Sequence, residues 1–137
     1  MDDRFKLPTG PHRLRPGAAP QEGRRVILYA RAKAGELDRT KDWLRQFAQA
    51  ARLDVVEEYA EEGKPNEAYA AALRHLTDDT AHECGLLISD LDALGVNRRE
   101  IRSQVAALRE LDVSIYEAES GAVITWVSLR DEAETNG

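Results

Sequence analysis

Short apolar runs alternate with longer amphipathic segments along most of this chain. Residues 26–30 form a continuous apolar run, which is typical of a strand buried on both faces of a sheet. Residues 36–52 instead place apolar side chains at helical spacing with charged residues between them, which indicates an amphipathic helix. The same alternation predicts further strands at 53–59, 84–89, 113–116 and 123–127, and further helices at 67–77 and 97–111.

Strands that alternate with helices favour an α/β fold with right-handed crossovers. We expect one domain over 25–128, a three-layer sandwich around a mostly parallel central sheet of four to five strands. In such sheets ligands bind beyond the carboxyl ends of the strands. The candidate loops are therefore 29–33, 59–66, 89–92 and 117–120, and Asn66 is expected to cap the helix that follows it.

The two segments that flank this domain differ in charge. Six Lys/Arg against three acidic residues give residues 1–25 a charge of about +3, whereas the whole chain of 137 residues carries −6. Four of the five prolines lie within 1–24, together with three glycines, so we expect a disordered basic arm there. Residues 129–137 form an acidic tail. The acidic body repels nucleic acid on average, so DNA is expected to be a weak partner at most.

Cysteine usage and hydropathy exclude several classes of protein. Cys84 is the only cysteine, so a disulfide within the chain and a thiolate zinc cluster are both excluded, and we expect Cys84 in the core. No stretch reaches the roughly 20 apolar residues of a membrane span, and the N-terminus lacks the apolar part of a signal peptide. We therefore expect a cytoplasmic protein without contact to a membrane.

The first and third strands are followed by charged residues. Arg31 and Lys33 follow the first strand, but without the glycine-rich pattern that cradles a nucleotide phosphate. Asp90 and Asp92 follow the third strand, where a phosphoacceptor aspartate would stand. The further carboxylates that would hold Mg²⁺ are replaced by Arg31 and Lys33. We therefore expect neither a metal nor a cofactor.

From about residue 26 to residue 126, the order of these pieces resembles the N-terminal catalytic domain of the serine recombinases, the resolvase/invertase family. The family opens with Tyr-x-Arg-x-Ser, continues with an acidic-Gly loop after its second strand, and carries Leu-Asp-Arg-Leu-Gly-Arg after its third. The matching stretches are Tyr29-Ala30-Arg31-Ala32-Lys33, Tyr59-Ala60-Glu61-Glu62-Gly63 and Leu91-Asp92-Ala93-Leu94-Gly95-Val96. The resemblance implies a resolvase-like sheet, and for the family it implies DNA cleavage and rejoining through a covalent phosphoserine.

The chain departs from that family at the residues that would do the chemistry. Lys33 stands where the family has its serine, and an ammonium group has no lone pair with which to attack phosphorus. Ala93 and Val96 replace two arginines, and a third is missing near Ala70. One missing charge stabiliser costs about 2.7–4 kcal/mol of transition-state stabilisation. The resemblance therefore implies a degenerate site at Tyr29, Arg31, Lys33 and Asp92 with no catalytic residue, and Asp92 is expected to cap the following turn.

Three functional hypotheses remain open. The leading one is a catalytically inactive serine recombinase-like domain that acts as a protein-interaction or regulatory module, with a protein partner that could be a second copy of the chain. An alternative is a small phosphate-ester enzyme in which a desolvated Lys33 acts as base or nucleophile beside Arg31 and Asp92. The other alternative is a DNA-binding protein that does not cleave, through Arg13, Arg15, Arg24, Arg25, Arg31 and Lys33.

Overall fold

The computed structural model describes the backbone of residues 12–18 and 126–128 and the whole of residues 20, 22–78 and 84–125. The helices are α1 (Leu37–Ala50), α2 (Glu67–Asp78) and α3 (Arg98–Glu110), and a 3-10 turn, Leu91–Leu94, precedes α3. The strands are β1 (His12–Ala18), β2 (Arg25–Ala32), β3 (Asp54–Glu62), β4 (Gly85–Ile88), β5 (Ile115–Glu117) and β6 (Ala122–Ser128). The five strands and three helices predicted between residues 26 and 127 are confirmed.

The strands form one mostly parallel sheet in the order β1-β6-β5-β4-β2-β3. Strands β3, β2, β4 and β5 run parallel to one another, whereas β6 is antiparallel to both β5 and β1. Strand β2 lies between β4 and β3, and all five residues of its apolar run are buried. A strand inside a sheet that is covered on both faces needs apolar side chains at every position, which explains why this run does not alternate.

The helices cover both faces of the sheet, as a three-layer α/β sandwich requires. On one face α1 packs Leu44 and Ala48 against Val26 and Leu28 of β2. The neighbouring residues Ile27 and Tyr29 point to the other face, because side chains alternate along a strand. There they pack with the buried residues of α2 and α3, which are Tyr69, Ala72, Leu76, Ile101, Val105 and Leu108.

The structure differs from the sequence prediction on the N-terminal side of the domain. Instead of irregular chain throughout 1–24, His12–Ala18 forms the sixth strand, β1, paired with β6 at the edge of the sheet. The register shifts between Arg15 and Ala18, where the sequence has Pro16 and Gly17. An edge strand accommodates proline and glycine because one side of its backbone needs no ladder hydrogen bonds. Residues 1–11 and the predicted acidic tail lie outside the described residues.

The carboxyl ends of β2, β3 and β4 meet at one edge of the sheet, which we call the carboxyl edge. The loop after β2, the loop after β3 and the turn Leu91–Leu94 after β4 all lie there. Every loop at which the resemblance places a family motif therefore reaches the same edge. Across residues 22–78 and 84–128, the structure contains no helix that is both long enough and apolar enough to cross a bilayer.

Candidate functional site

Arg31 joins three segments at the carboxyl edge through its guanidinium. Its Nε donates to the carbonyl oxygen of Ala93 at 3.2 Å, and Nη1 donates to that of Gly63 at 2.7 Å. Nη2 donates to the carbonyl oxygens of Asp92 at 2.6 Å and Gly95 at 3.2 Å. These four bonds use most of the five N–H donors of a guanidinium. Arg31 therefore fastens the end of β2 to the loop after β3 and to the turn after β4.

Tyr29 forms a second connection across the same edge. Its ring is fully buried, and its hydroxyl donates to Oε2 of Glu61 at 2.7 Å. The Glu61 carboxylate also accepts from the backbone amides of Asn66, Ala68 and Tyr69 at 2.8, 3.1 and 3.1 Å. It thus satisfies amides at the start of α2 that have no partner within the helix. The side chain that caps α2 is Glu61, and the prediction that Asn66 does so is wrong.

The environment of this pair keeps the proton on Tyr29 and the charge on Glu61. Burial, together with the hydrogen bond to Glu61, raises the pKa of Tyr29 well above its ordinary value. Burial also disfavours the Glu61 carboxylate, but the hydrogen bonds from Tyr29 and from the three amides outweigh it and lower the pKa of Glu61. Both groups are therefore held in single protonation states at neutral pH, which suits a structural pair and not an acid–base pair.

A second tyrosine, Tyr69, packs against the first. The rings of Tyr29 and Tyr69 lie 5.1 Å apart between centroids, with a tilted geometry that aromatic pairs favour. The hydroxyl of Tyr69 is buried without a hydrogen-bond partner in the part of the chain that the structure describes. Burial raises the pKa of Tyr69 as well, so this phenol also keeps its proton.

The turn after β4 begins at a different aspartate from the one predicted. Oδ1 of Asp90 accepts from the backbone amide of Asp92 at 3.0 Å, so Asp90 caps the turn Leu91–Leu94. Asp90 has extended backbone and directly precedes the turn, which is the position from which a side chain reaches the next free amides. Asp92 lies inside the turn with its side chain exposed to solvent.

Lys33 lies in the loop after β2 and is exposed. Its carbonyl oxygen accepts from the amide of Glu36 at 3.0 Å, which closes a turn just before α1. The Lys33 side chain has no hydrogen bond or ion pair with the rest of the described chain. A lysine that acts as nucleophile or base needs a desolvated pocket or a neighbouring cation that activates it. The exposure of Lys33 therefore does not favour catalysis by its amine.

An open cleft of about 520 Å³ lies at the carboxyl edge, between the turn after β4 and the start of α3. Gly95 lines it and packs closely against the start of α3, because a Cβ at this position would lie 2.6 Å from Cβ of Glu100 and 2.9 Å from the amide nitrogen of Ile101. This close approach explains why the Leu-Asp-x-Leu-Gly stretch ends in glycine. The lining residues are Arg31, Asp92, Gly95, Val96, Asn97, Arg98 and Ile101.

The start of α3 forms one side of this cleft. Oδ1 of Asn97 accepts from the amide of Glu100 at 2.9 Å, and Oε1 of Glu100 accepts from the amide of Val96 at 3.1 Å. This arrangement is close to a capping box, in which a cap residue and an acid three residues later satisfy each other's backbone amides. The Asn97-x-x-Glu100 pattern is visible in the sequence, so it could have predicted this helix start.

The structure does not bring the six candidate DNA-binding residues together. Arg24 and Arg25 lie at the beginning of β2, whereas Arg31 and Lys33 lie at or beyond its end. The rise along a strand puts Arg25 and Arg31 about 20 Å apart. Arg13 and Arg15 belong to β1, which β6, β5 and β4 separate from β2, and their side chains lie outside the described residues. The sequence prediction of DNA-binding residues did not include the arginines of α3, the first of which, Arg98, lines the cleft.

The described residues form no metal site, and the chain has no significant match among protein families and curated proteins. No group of three His, Cys, Asp or Glu side chains that could hold a metal ion occurs in the ranges 20, 22–78 and 84–125. In comparisons with known proteins, no family model matches the chain and no curated protein is significantly similar to it.

Proposed function

We propose that this chain is a serine recombinase-like domain that does not cleave DNA and acts as a protein-interaction or regulatory module. The observation that carries the proposal is the hydrogen bonding of Arg31, whose guanidinium is held by four backbone carbonyl oxygens. An arginine that stabilises a phosphate does so through paired N–H donors directed at its oxygens. Here those donors point into the protein backbone, so Arg31 has a structural role.

The other positions that would stabilise charge carry no cation. Ala93 is buried, Val96 is exposed but apolar, and Ala70 stands on α2 near the position of a further family arginine. Charge that develops on a pentacoordinate phosphorus needs several preorganised donors or cations around it. The lack of cations at these positions supports a domain that does not cleave DNA strands.

The residue at the nucleophile position supports the same proposal. Lys33 is exposed and therefore keeps its hydration, whereas a reactive lysine requires desolvation or an activating neighbour. This also weighs against the phosphate-ester enzyme, because that hypothesis assigns the role of base or nucleophile to Lys33. Asp92 does not supply that role either, since its side chain is solvent-exposed and only its backbone contacts Arg31.

The fold and the charge distribution agree with a module that binds protein. A mostly parallel α/β sheet with helices on both faces is the architecture that the resemblance implies, and it is compatible with many other functions as well. DNA binding through the predicted arginines has less support, because Arg24 and Arg25 are separated from Arg31 and Lys33 by the length of β2. The net charge of −6 opposes it further.

A DNA-cleavage assay tests the proposal. The chain would be incubated with supercoiled plasmid, with and without Mg²⁺, and the products separated on a denaturing gel that reveals nicks and covalent protein–DNA adducts. We expect neither product. Lys33→Ala and the exposed-residue control Arg39→Ala would be assayed in parallel. Nicks or adducts that Lys33→Ala abolishes and Arg39→Ala preserves would overturn the proposal, since they would show a reaction that depends on the site.

A further inference from the structure

The side chains of three arginines of α3 have no hydrogen bond or ion pair in the described structure. Arg98, Arg99 and Arg102 are all exposed, and none of them is paired with an acid among the described residues. Arg98 lines the cleft, and Arg102 follows it by four residues, so both lie on one side of the helix. An acidic chain thus presents a local cluster of positive charge beside its cleft.

The cleft also exposes apolar surface. Val96 is 55% exposed, which makes it the most exposed large hydrophobic residue in the described ranges. Ile101 lines the same cleft and is otherwise buried. A volume of about 520 Å³ falls within the range of small binding pockets, roughly 300–1,000 Å³. The cleft therefore has room for a few side chains of a partner.

The start of α3 does not by itself provide an anion site. Asn97 and Glu100 already satisfy backbone amides there, and Glu100 adds a negative charge. Arg31 also lines the cleft, but its donors are held by backbone carbonyls. Recognition of a negatively charged ligand would thus depend on the side chains of Arg98 and Arg102, with Val96 and Ile101 as the apolar surface.

We propose that this cleft binds an acidic segment of a partner protein. One aliphatic side chain of the segment packs against Val96 and Ile101. The carboxylates of its acidic residues pair with the guanidinium groups of Arg98 and Arg102, and a carboxylate can accept two parallel hydrogen bonds from one guanidinium. This inference rests on the proposed function, because it specifies the partner chemistry of that protein-interaction module.

The observations favour a peptide over nucleic acid as the occupant. A duplex extends beyond the cluster of arginines and meets the rest of a chain whose overall net charge is −6. Exposed Val96 has no apolar counterpart on a phosphate backbone, whereas a short peptide offers carboxylates and an aliphatic side chain together.

Selection from a random peptide library tests this inference on the intact chain. A phage-displayed library of random dodecapeptides would be panned on the immobilised protein, and the enriched peptides synthesised with a fluorescent label for anisotropy titrations. The variants are Arg98→Glu with Arg102→Glu, and Val96→Ser. The matched control is Arg39→Glu with Arg74→Glu, since these exposed arginines of α1 and α2 give the same change in net charge away from the cleft.

We expect enriched peptides that combine at least two acidic residues with an aliphatic one. The double substitution at Arg98 and Arg102 should weaken their binding by about tenfold or more, Val96→Ser should weaken it about threefold, and the control should leave it unchanged. Circular dichroism and urea unfolding would confirm that each variant is folded. Affinity should also fall as salt is added, because the contacts are between charges near the surface.

Several outcomes would overturn the inference. These are the absence of enriched peptides, enrichment of basic or uncharged peptides, and equal loss of binding in the Arg39/Arg74 control. Binding of a short DNA duplex that depends on Arg98 and Arg102, without binding of any acidic peptide, would assign the cleft to nucleic acid. Cleavage of supercoiled DNA would instead overturn the proposed function, so the two failures are distinguishable.

Discussion

Nη2 of Arg31 donates a hydrogen bond to the carbonyl oxygen of Asp92 at 2.6 Å, across 61 positions of the sequence. This bond and its three companions hold the turn after β4 against the end of β2. In the serine recombinases, arginines stabilise charge on the reacting phosphate, and the proposed resemblance matches Arg31 to one of them. Here the guanidinium stabilises the backbone around an open cleft.

Replacement of Arg31 by alanine should destabilise the fold. The substitution leaves four carbonyl oxygens at the carboxyl edge without this donor, and we expect a loss of about 2–3 kcal/mol in the free energy of unfolding. Arg31→Lys should recover only part of it, because an ammonium group cannot reproduce the planar set of donors. Urea unfolding followed by circular dichroism measures both values.

Arg39→Ala provides the reference for this experiment. Arg39 is exposed on α1, so its replacement should change the stability by no more than about 0.5 kcal/mol. If Arg31→Ala changes the free energy of unfolding by no more than Arg39→Ala does, Arg31 does not stabilise the carboxyl edge, and the structural role assigned to it is wrong.

Glu61 should make stability depend on pH in the acid range. Its pKa in the folded state is lowered from an ordinary value of 4.5, so its contribution is fully present above that value and is lost as the pH falls through the folded pKa. The free energy of unfolding of the wild type should therefore decline from about pH 5 downward. In Glu61→Gln this part of the decline should disappear, and stability at neutral pH should drop by about 1–2 kcal/mol.

Urea titrations at several pH values between neutral and acid would measure these changes. Glu36→Gln is the matched control, because Glu36 precedes α1 without a side-chain hydrogen bond and is exposed. If the free energy of unfolding falls with acid as steeply in Glu61→Gln as in Glu36→Gln, Glu61 does not contribute to the pH dependence of stability.

Gly95→Ala should destabilise the domain through overpacking. The added Cβ would lie 2.6 Å from Cβ of Glu100 and 2.9 Å from the amide nitrogen of Ile101, so the start of α3 must shift. Overpacking of this kind typically costs about 1–3 kcal/mol. Thermal and urea unfolding would measure the loss. A loss of less than about 0.5 kcal/mol in the free energy of unfolding would contradict the close packing of Gly95 against α3.

Lys33→Ser should not create a DNA-cleaving enzyme. The substitution supplies the hydroxyl that the family uses, but Ala93 and Val96 still provide no charge at the other positions, and the donors of Arg31 remain engaged. Because Lys33 is exposed, the variant should also be as stable as the wild type within about 0.5 kcal/mol. Covalent adduct formation by this variant on supercoiled DNA would contradict the prediction.

The apolar pattern was sufficient to predict the strands and helices of the domain. The continuous run 26–30 indicated a strand buried on both faces, and β2 is that strand. Ile101, Val105, Leu108 and Leu111 recur at helical spacing, a pattern that predicts one buried face of α3, and the first three are buried. Leu111 is instead 43% exposed, because α3 ends at Glu110 and the chain turns away from the helix.

Local composition misled the prediction where pairing with a distant strand decides the structure. Proline and glycine indicated irregular chain over 1–24, yet His12–Ala18 pairs with β6. Those residues form a strand at the edge, where proline is tolerated, and the partner lies more than a hundred residues away in the sequence. The caps show the same dependence: Glu61 reaches α2 from the end of β3, and no rule based on adjacent residues selects it over Asn66.

The sequence by itself determined the class of fold and the residue types at the carboxyl edge, because burial imposes a periodicity that a single segment already displays. It also determined that Lys33, an amine, follows the first strand. Only the tertiary structure decided what those residues contact. The hydrogen-bond partners of Arg31 come from segments 32 to 64 positions away, and the chain reversals that bring them together depend on the packing of the whole sheet. For the same reason, only the folded chain revealed the cleft that Val96 and Arg98 line.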